Sequence, residues 1–299
     1  MSLFNFGLSA DKSAVIYREL GKDAEAFFKA MQAAETAFFS EITTAENKQK
    51  LDWLQLRTAL ITRIDDRHLS KLADFNVEQI QHVSPKFNGQ PRQITVVTLD
   101  SLPSAIADIN GQAWIGFDTE TAATFEKGRR NTNPISLIQI ATVTHCYLFR
   151  MQAENIAAFS AALAPVLSNE QTLKVGIGLR SDINAIKRDF NIAMSAILDL
   201  NWLMNQLGAP KQLGTQQMTA TVLRLKVPKS KKVTLSNWAK PLSEPLSELQ
   251  LQYAAADAFV ALDILHGTLA QIIDYSELWP KSLLQRLLEL NMVEKEVTK

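Results

Sequence analysis

The stretch WIGFDTET, residues 114–121, places two carboxylates one residue apart at the end of an apolar run. Side chains two residues apart on a strand point to the same face, so Asp118 and Glu120 are expected to project together from the strand's carboxyl end, where open α/β sheets bind ligands. Like charges this close raise each other's pKa unless a cation lies between them, and carboxylate oxygens suit Mg²⁺ or Mn²⁺. Because such a pair also arises by chance in a chain of ordinary composition, it indicates a metal site only weakly by itself.

Two further stretches contain aspartates in informative positions. Asp182 follows a glycine-bearing strand in VGIGLRSD and stands at the start of a helix, where a helix N-cap is the alternative role. Tyr253 and Asp257 are four residues apart in LQYAAADAFVALDIL and therefore share one face of a predicted helix. Nearly all the surface of that helix is apolar, and a buried aspartate without a charge partner is costly. A purely structural role for Asp257 is therefore the poorer interpretation.

The elements that must position these residues fall into two regions. The chain to about residue 80 is predicted to be wholly helical, and the stretch VSPKFNGQP, residues 83–91, is typical of a linker. We therefore expect a helical N-terminal region at residues 1–90, of unknown role, and a second domain at residues 91–299. Apolar residues recur at helical spacing in the first region, where we expect them to face a core: Phe27, Met31, Ala34, Phe38, Trp53, Leu56, Leu60 and Ile64.

The second region alternates strand and helix patterns. Strands are predicted at ITVVTL, WIGFD, ISLIQIAT, CYLFRM, LKVGIG and AILDLN, with helices at LPSAIADI, at about residues 155–167 and around Ile183, Ile186 and Phe190. Long helical patterns fill the remainder. This alternation predicts an α/β fold in which a mixed sheet is covered by helices.

The order Asp-x-Glu, then a glycine-rich strand with Asp at the following helix, then Tyr-x-x-x-Asp resembles the three exonuclease motifs of the DEDD superfamily, in its tyrosine-bearing (DEDDy) branch. The stretches GFDTE, VGIGLRSD, LSNWAKPLSE and LQYAAADAFVALDIL are most similar to the Werner-syndrome-protein exonuclease domain and to RNase D. The resemblance covers about residues 93–268 and implies an RNase H-like mixed sheet flanked by helices. Gly178 stands where some other branches of the superfamily carry Asn.

The resemblance also implies a function. It predicts a 3′-5′ exonuclease that uses two divalent ions, Mg²⁺ or Mn²⁺, to release nucleoside monophosphates from nucleic acid, DNA or RNA, with a free 3′ end. Asp118 would bridge both ions, Glu120 and Asp257 would bind the ion that holds the attacking water, and Asp182 would bind the other ion. Tyr253 would orient the water.

Local basic clusters are candidate substrate contacts, although charged loops are often simply solvated. Arg129 and Arg130 follow the first motif, together with Lys127. Lys229, Lys231 and Lys232 precede the third motif, as does Lys226. Phosphates neutralised by such residues would make binding salt-dependent. Trp238 is a candidate for stacking on a base, with a core position as the alternative.

Composition and other motifs exclude several classes. Lys and Arg number 31, as do Asp and Glu, so no global charge indicates a nucleic-acid or membrane partner. The single cysteine, Cys146, excludes a disulfide framework and a cysteine-based zinc site, and the N-terminus lacks a signal-peptide pattern, so we expect a cytoplasmic protein without a membrane partner. Patterns of P-loop, serine-hydrolase and zinc-peptidase sites are absent.

Of the alternatives to an exonuclease, an inactive nucleic-acid-binding scaffold remains open, and two others fit less well. Gly176, Gly178 and Asp199 only partly match a dinucleotide-binding fingerprint, because Ser181 replaces its third glycine. A catalytically inactive nucleic-acid-binding scaffold on the same fold would not need all four acids and Tyr253. An RNase H-like endonuclease fits less well, because the tyrosine and aspartate at helical spacing are typical of the exonucleases.

Overall fold

The computed structural model describes residues 45–79, 91–123, 132–227 and 231–290, together with the isolated positions 23, 29 and 292. Its contacts divide the chain into two compact units, Met1–Gln55 and Leu56–Lys299. Helix α1, Ala45–Ile61, carries the second predicted apolar stripe, in which Trp53 and Leu60 are buried. Ile64, the last member of that stripe, lies beyond the helix end. The first stripe, from Phe27 to Phe38, lies outside the described residues.

Residues 56–79 belong to the same compact unit as the sheet. After the short helix α2, Asp66–Leu69, strand β1, Ala73–Asp74, pairs in parallel with Leu225–Lys226. The contacts divide the chain after Gln55, whereas the sequence predicts a boundary near residue 90. The stretch to residue 80 is not wholly helical, because it contains β1. The predicted linker lies, except for its last residue, outside the described residues, and the segment before it is joined to the later chain by strand pairing.

Six strands of the described chain form a mixed sheet. They span Gln93–Val96 (β2), Trp114–Thr121 (β3), Ile135–Ala141 (β4), His145–Arg150 (β5), Leu173–Gly176 (β6) and Ile197–Asp199 (β7). Their order in the sheet is β2-β5-β4-β3-β6-β7. Strand β4 is antiparallel to its neighbours β3 and β5, whereas β2 pairs in parallel with β5, and β6 lies parallel to both β3 and β7. This confirms the predicted mixed sheet.

Three helices, Leu102–Asn110 (α3), Ile156–Ser168 (α4) and Arg180–Phe190 (α5), contribute to the main apolar core together with one face of this sheet. Ile115 and Phe117, alternate residues of β3, point into this core with Phe149 and Phe159, whose rings meet edge to face at 5.5 Å. Burial of these apolar side chains is the main force that fixes the orientation of β3.

The described residues after β7 are mainly helical, as predicted, and include one short strand. Helix α9, Glu248–Ile272, begins with a capping box in which Ser247 accepts from the Gln250 backbone N–H and the Gln250 side chain accepts from Ser247. The elements are α6 (Leu200–Gln206), α7 (Thr215–Leu223), β8 (Leu225–Lys226), α8 (Lys231–Thr234), α9 (Glu248–Ile272), a 3₁₀ helix (Ile273–Leu278) and α10 (Lys281–Glu289).

Helix α9 packs on the other face of the sheet. The segment Glu248–Leu278 is long and apolar enough to cross a membrane by length and composition alone, but 67% of its most apolar window is buried inside the protein. Arg92, at the start of β2, forms a bidentate ion pair with Asp263 of α9 at 2.6 and 2.9 Å, and both side chains are fully buried. Packing against the sheet thus accounts for the apolar composition of α9.

Candidate active site

Strand β3 separates core residues from carboxylates by simple alternation. Ile115 and Phe117 point towards α3–α5, so Gly116, Asp118 and Glu120 face α9. An added Cβ at Gly116 would lie 2.1 Å from the carbonyl oxygen of Ala258. Only glycine therefore lets α9 approach β3 this closely, and the approach brings the acidic residues of the two elements together.

Three carboxylates converge where β3 meets α9. Asp118, Glu120 and Asp257 each offer an oxygen, and these oxygens all lie within 4.8 Å of one another. Burial, followed by the negative charges of Asp257, Asp182 and Glu120, raises the pKa of the Asp118 carboxyl well above its ordinary value, with only the Thr119 backbone hydrogen bond acting against the rise. A divalent cation would relieve this repulsion and favour the ionised form. The hard oxygen ligands suit Mg²⁺ or Mn²⁺.

Tyr253 lies one helical turn before Asp257 on α9. Its side chain is 7% exposed, and its ring packs against Trp238 with centroids 6.2 Å apart. Burial, the charges of Asp257 and Glu120, and a hydrogen bond to Asp257 raise the pKa of the Tyr253 phenol. The phenol is therefore protonated at neutral pH and keeps its O–H as a donor beside the carboxylates.

Asp182 is held in the first turn of α5 by strand β3. The Thr119 hydroxyl donates to its carboxylate at 2.5 Å, and the Ser181 hydroxyl donates at 3.3 Å. Burial raises the pKa of the Asp182 carboxyl, while these two hydrogen bonds limit the rise. The alternative role as a helix N-cap is wrong, because Leu179 occupies the cap position. Asp182 lies outside the three-carboxylate cluster but close enough for its charge to shift the pKa of Asp118.

The turn before α5 is organised by Asp199, whose role the sequence did not indicate. Its carboxylate accepts hydrogen bonds from the backbone N–H groups of Gly178 and Leu179 at 3.0 Å, and from that of Asn201 at 2.9 Å. Gly178 adopts a positive φ of 74°, which glycine permits without strain. Backbone donors thus occupy the carboxylate. This structural role explains Asp199 without the ribose contact that a dinucleotide-binding fingerprint would require. Its position between a strand and a helix was the available signal for a cap.

A polar cavity of about 580 Å³ borders Asp182. Thr119, Asn184 and Arg188 line it, together with Thr132 and Asn133. Its volume is within the range of small-ligand pockets. Arg188 is the cationic group of this lining, although it also pairs with Asp189 at 2.6 Å.

The candidate substrate contacts have different outcomes. Trp238 is 1% exposed, so a base cannot stack on it as the protein is folded, and the core alternative is correct. Lys226 of β8 pairs with Asp74 at 3.4 Å. Lys231 and Lys232 begin helix α8, but their side chains are not described. Lys127, Arg129, Arg130 and Lys229 lie outside the described residues, so their roles stay predictions.

Comparison with known proteins extends these observations. A family model described as 3′-5′ exonuclease matches residues 93–274, which is more than half of the chain. The chain is 27% identical over 180 residues to the bifunctional 3′-5′ exonuclease/ATP-dependent helicase WRN of Mus musculus; the match covers 60% of the chain and 12% of that protein. The chain therefore spans a small part of this relative.

Solved structures show the same architecture. The Nibbler EXO domain of Aedes aegypti superposes with a TM-score of 0.54 at 28% identity, over 66% of this chain and 95% of that one. RNase D of Escherichia coli superposes with a TM-score of 0.52 at 22% identity, over 69% of this chain and 51% of that one. The second likeness supports the mixed sheet with flanking helices and nothing finer.

Proposed function

Because this chain belongs to the 3′-5′ exonuclease family and has the DEDD exonuclease fold, we propose that it removes nucleoside monophosphates from the 3′ end of a nucleic acid with two divalent cations. The observation that carries this proposal is the convergence of Asp118, Glu120 and Asp257 within 4.8 Å. Tyr253 and Asp182 flank the cluster. A catalytically inactive scaffold would not need this set of acids.

The chain's own residues divide the chemical tasks. Asp118, Glu120 and Asp257 would hold one cation, and Asp118 with Asp182 would hold the other. Bound cations would supply an activated water and stabilise the attacking and leaving oxygens of an in-line displacement. Tyr253 would donate or accept a hydrogen bond to orient that water. The water oxygen joins phosphorus and the P–O3′ bond breaks, which leaves a 3′-hydroxyl on the shortened strand and a released 5′-monophosphate.

The substrate enters at the carboxyl end of β3. In this proposal the polar cavity beside Asp182 receives the terminal nucleotide, since its volume and its polar lining suit a sugar and a phosphate. Arg188 is the cationic side chain placed to meet a phosphate there. Arg129, Arg130, Lys229, Lys231 and Lys232 remain the candidates for contacts with the rest of the strand.

Two finer assignments belong to the same proposal. We propose that the chain belongs to the DEDDy branch, which the spacing of Tyr253 and Asp257 supports, and that the bound ion is Mg²⁺ or Mn²⁺. We also propose a cytoplasmic location without a membrane partner, which is supported by the single, buried Cys146. Fluorescent tagging that placed the protein at a membrane or in an oxidising compartment would refute this location.

The activity is tested with 5′-labelled DNA and RNA oligonucleotides, single-stranded or with a recessed end, under Mg²⁺ and Mn²⁺. We expect a ladder that shortens from the 3′ end, and no ladder from Asp118→Asn or Asp257→Asn. Glu154→Gln, which changes an exposed acid outside the three-carboxylate cluster, is the matched control and should retain activity. Absence of a ladder on every substrate would favour the scaffold, whereas cleavage of circular single strands would favour an endonuclease.

A further inference from the structure

Gln139 is a fully buried polar side chain in the centre of the sheet. It lies on β4, is 0% exposed, and neither its amide nitrogen nor its amide oxygen has a hydrogen-bond partner among the described residues. A buried polar group without a partner costs roughly 1–3 kcal/mol. Such groups are rare in native proteins, so a specific reason for this one is expected.

The position of Gln139 relates it directly to the carboxylate cluster. It is the cross-strand partner of Asp118 in the antiparallel β3–β4 ladder. Opposed residues in such a ladder point to the same face, with Cβ atoms roughly 4.5–5.5 Å apart. The next pair on this face, Gly116 and Ala141, is the point where α9 approaches the strand. Gln139 therefore lies in the layer between sheet and α9, beside Asp118.

A second buried group determines which way the amide should face. Arg150 on β5 pairs with Leu137, so it is a diagonal neighbour of Gln139 on the same face of the sheet. The Arg150 side chain donates to the carbonyl oxygens of Lys240 and Pro241 at 2.8 and 2.9 Å, while its Nε is buried without a described partner. Because Nε can only donate, the atom of the Gln139 amide that it could bind is the oxygen. That pairing would leave the amide nitrogen for β3.

We propose that Gln139 is a positioning residue for Asp118: its amide oxygen accepts from Arg150 Nε and its amide nitrogen donates to the Asp118 carboxylate. Neither hydrogen bond is among the described contacts. We assign both to the chain with bound divalent cations, so this inference rests on the proposed function. A neutral amide suits this place, because a lysine or arginine next to Asp118 would compete with the cations. Hydrogen bonds of this kind fix the orientation of metal-binding carboxylates.

The test uses the full chain and three variants. Gln139→Met keeps the size of the side chain but removes the amide, and Gln139→Glu keeps an acceptor for Arg150 but removes the donor to Asp118. Thr268→Val is the matched control, because Thr268 on α9 is also fully buried with an unpartnered hydroxyl. Mn²⁺ affinity is measured by calorimetric titration, unfolding is measured without added metal, and kcat and KM are measured with a 5′-labelled oligonucleotide.

We expect Gln139→Met to weaken Mn²⁺ binding, and both Gln139 variants to lower kcat by about 10- to 100-fold with KM little changed. The unfolding midpoint of Gln139→Met should equal or exceed that of the wild type, since an unpartnered amide is removed. Thr268→Val should bind Mn²⁺ and turn over like the wild type. Wild-type affinity and kcat in Gln139→Met would overturn the positioning role alone, whereas a wild-type chain that neither binds Mn²⁺ nor shortens the oligonucleotide would overturn the proposed function as well.

Discussion

The close approach of α9 to β3 at Gly116 should be essential for activity. Substituting Gly116→Ala places a methyl group 2.1 Å from the carbonyl oxygen of Ala258, whereas ordinary contact begins at 3.4 Å. The helix and the strand must therefore separate by about 1.3 Å, the difference between these distances. Since Asp257 directly precedes Ala258, it moves with the helix away from Asp118 and Glu120.

The expected magnitudes follow from this displacement. Overpacking of a close contact costs about 1–3 kcal/mol of folding stability. A displacement of about 1 Å in a catalytic constellation lowers the rate by about 100-fold. We therefore expect Gly116→Ala to lose about two orders of magnitude in kcat. The variant should still be folded at a temperature about 20 °C lower than the wild-type melting point.

The assay compares 3′-end shortening of a labelled oligonucleotide and thermal unfolding for the wild type, Gly116→Ala and a control. Gly214→Ala is that control, because no atom lies within 4 Å of the added methyl group. It should keep the wild-type rate. It should lose at most about 1 kcal/mol of folding stability, because alanine replaces glycine at the N-cap of α7. If Gly116→Ala matched the wild type in both rate and unfolding midpoint, the close packing of α9 on β3 would not be what assembles the site.

Other contacts of the fold give three further predictions. Thr119→Val removes the hydroxyl that holds Asp182, a hydrogen bond to a charged group worth about 1.5–3 kcal/mol, so kcat should fall roughly 10- to 100-fold while Thr119→Ser retains most activity; equal rates for Val and wild type would contradict this. Arg92→Met should lower the free energy of unfolding in urea by about 3–5 kcal/mol by leaving Asp263 buried and unpaired, and Arg92→Met with Asp263→Leu should recover much of it; a double variant no better than the single one would be inconsistent with the pairing. Burial lowers the pKa of Lys174 from 10.5 to about 8, so between these pH values the unfolded chain holds a proton that the folded chain has lost, and stability should rise with pH across that window. Urea unfolding at pH 7.5 and 10 should show a smaller rise in Lys174→Met, and identical pH profiles would count against the shift.

The fold was largely predictable because its strands and helices are long enough to show periodicity. Strand β3 shows alternation of core and site residues, and α5 carries Ile186 towards the core as expected. The two-residue pairing of β1 with β8 has no such signal, since each strand is too short for a pattern. The sequence therefore offered no reason to join residues 73–74 to the later chain, and the boundary near residue 90 stays a prediction.

The site shows the same limit of sequence analysis. The residue types and order of the motifs indicated which acids to consider, and the structure brings Asp118, Glu120 and Asp257 together. The contacts of Thr119 and Asp199 depend on which loops meet in space, so spacing along the chain could not predict them. The burial of Trp238 against Tyr253 is likewise decided by tertiary packing, so the sequence left both a core position and base stacking open for this residue.

Diffraction from crystals soaked in Mn²⁺ and a nucleoside monophosphate, with anomalous maps, would test the central claim most directly. The account predicts two anomalous peaks about 4 Å apart, one bound by Asp118, Glu120 and Asp257 and the other by Asp118 on the side of Asp182. Maps without a peak at this cluster, from crystals of protein that shortens oligonucleotides in solution, would contradict the assignment of these residues as the metal centre.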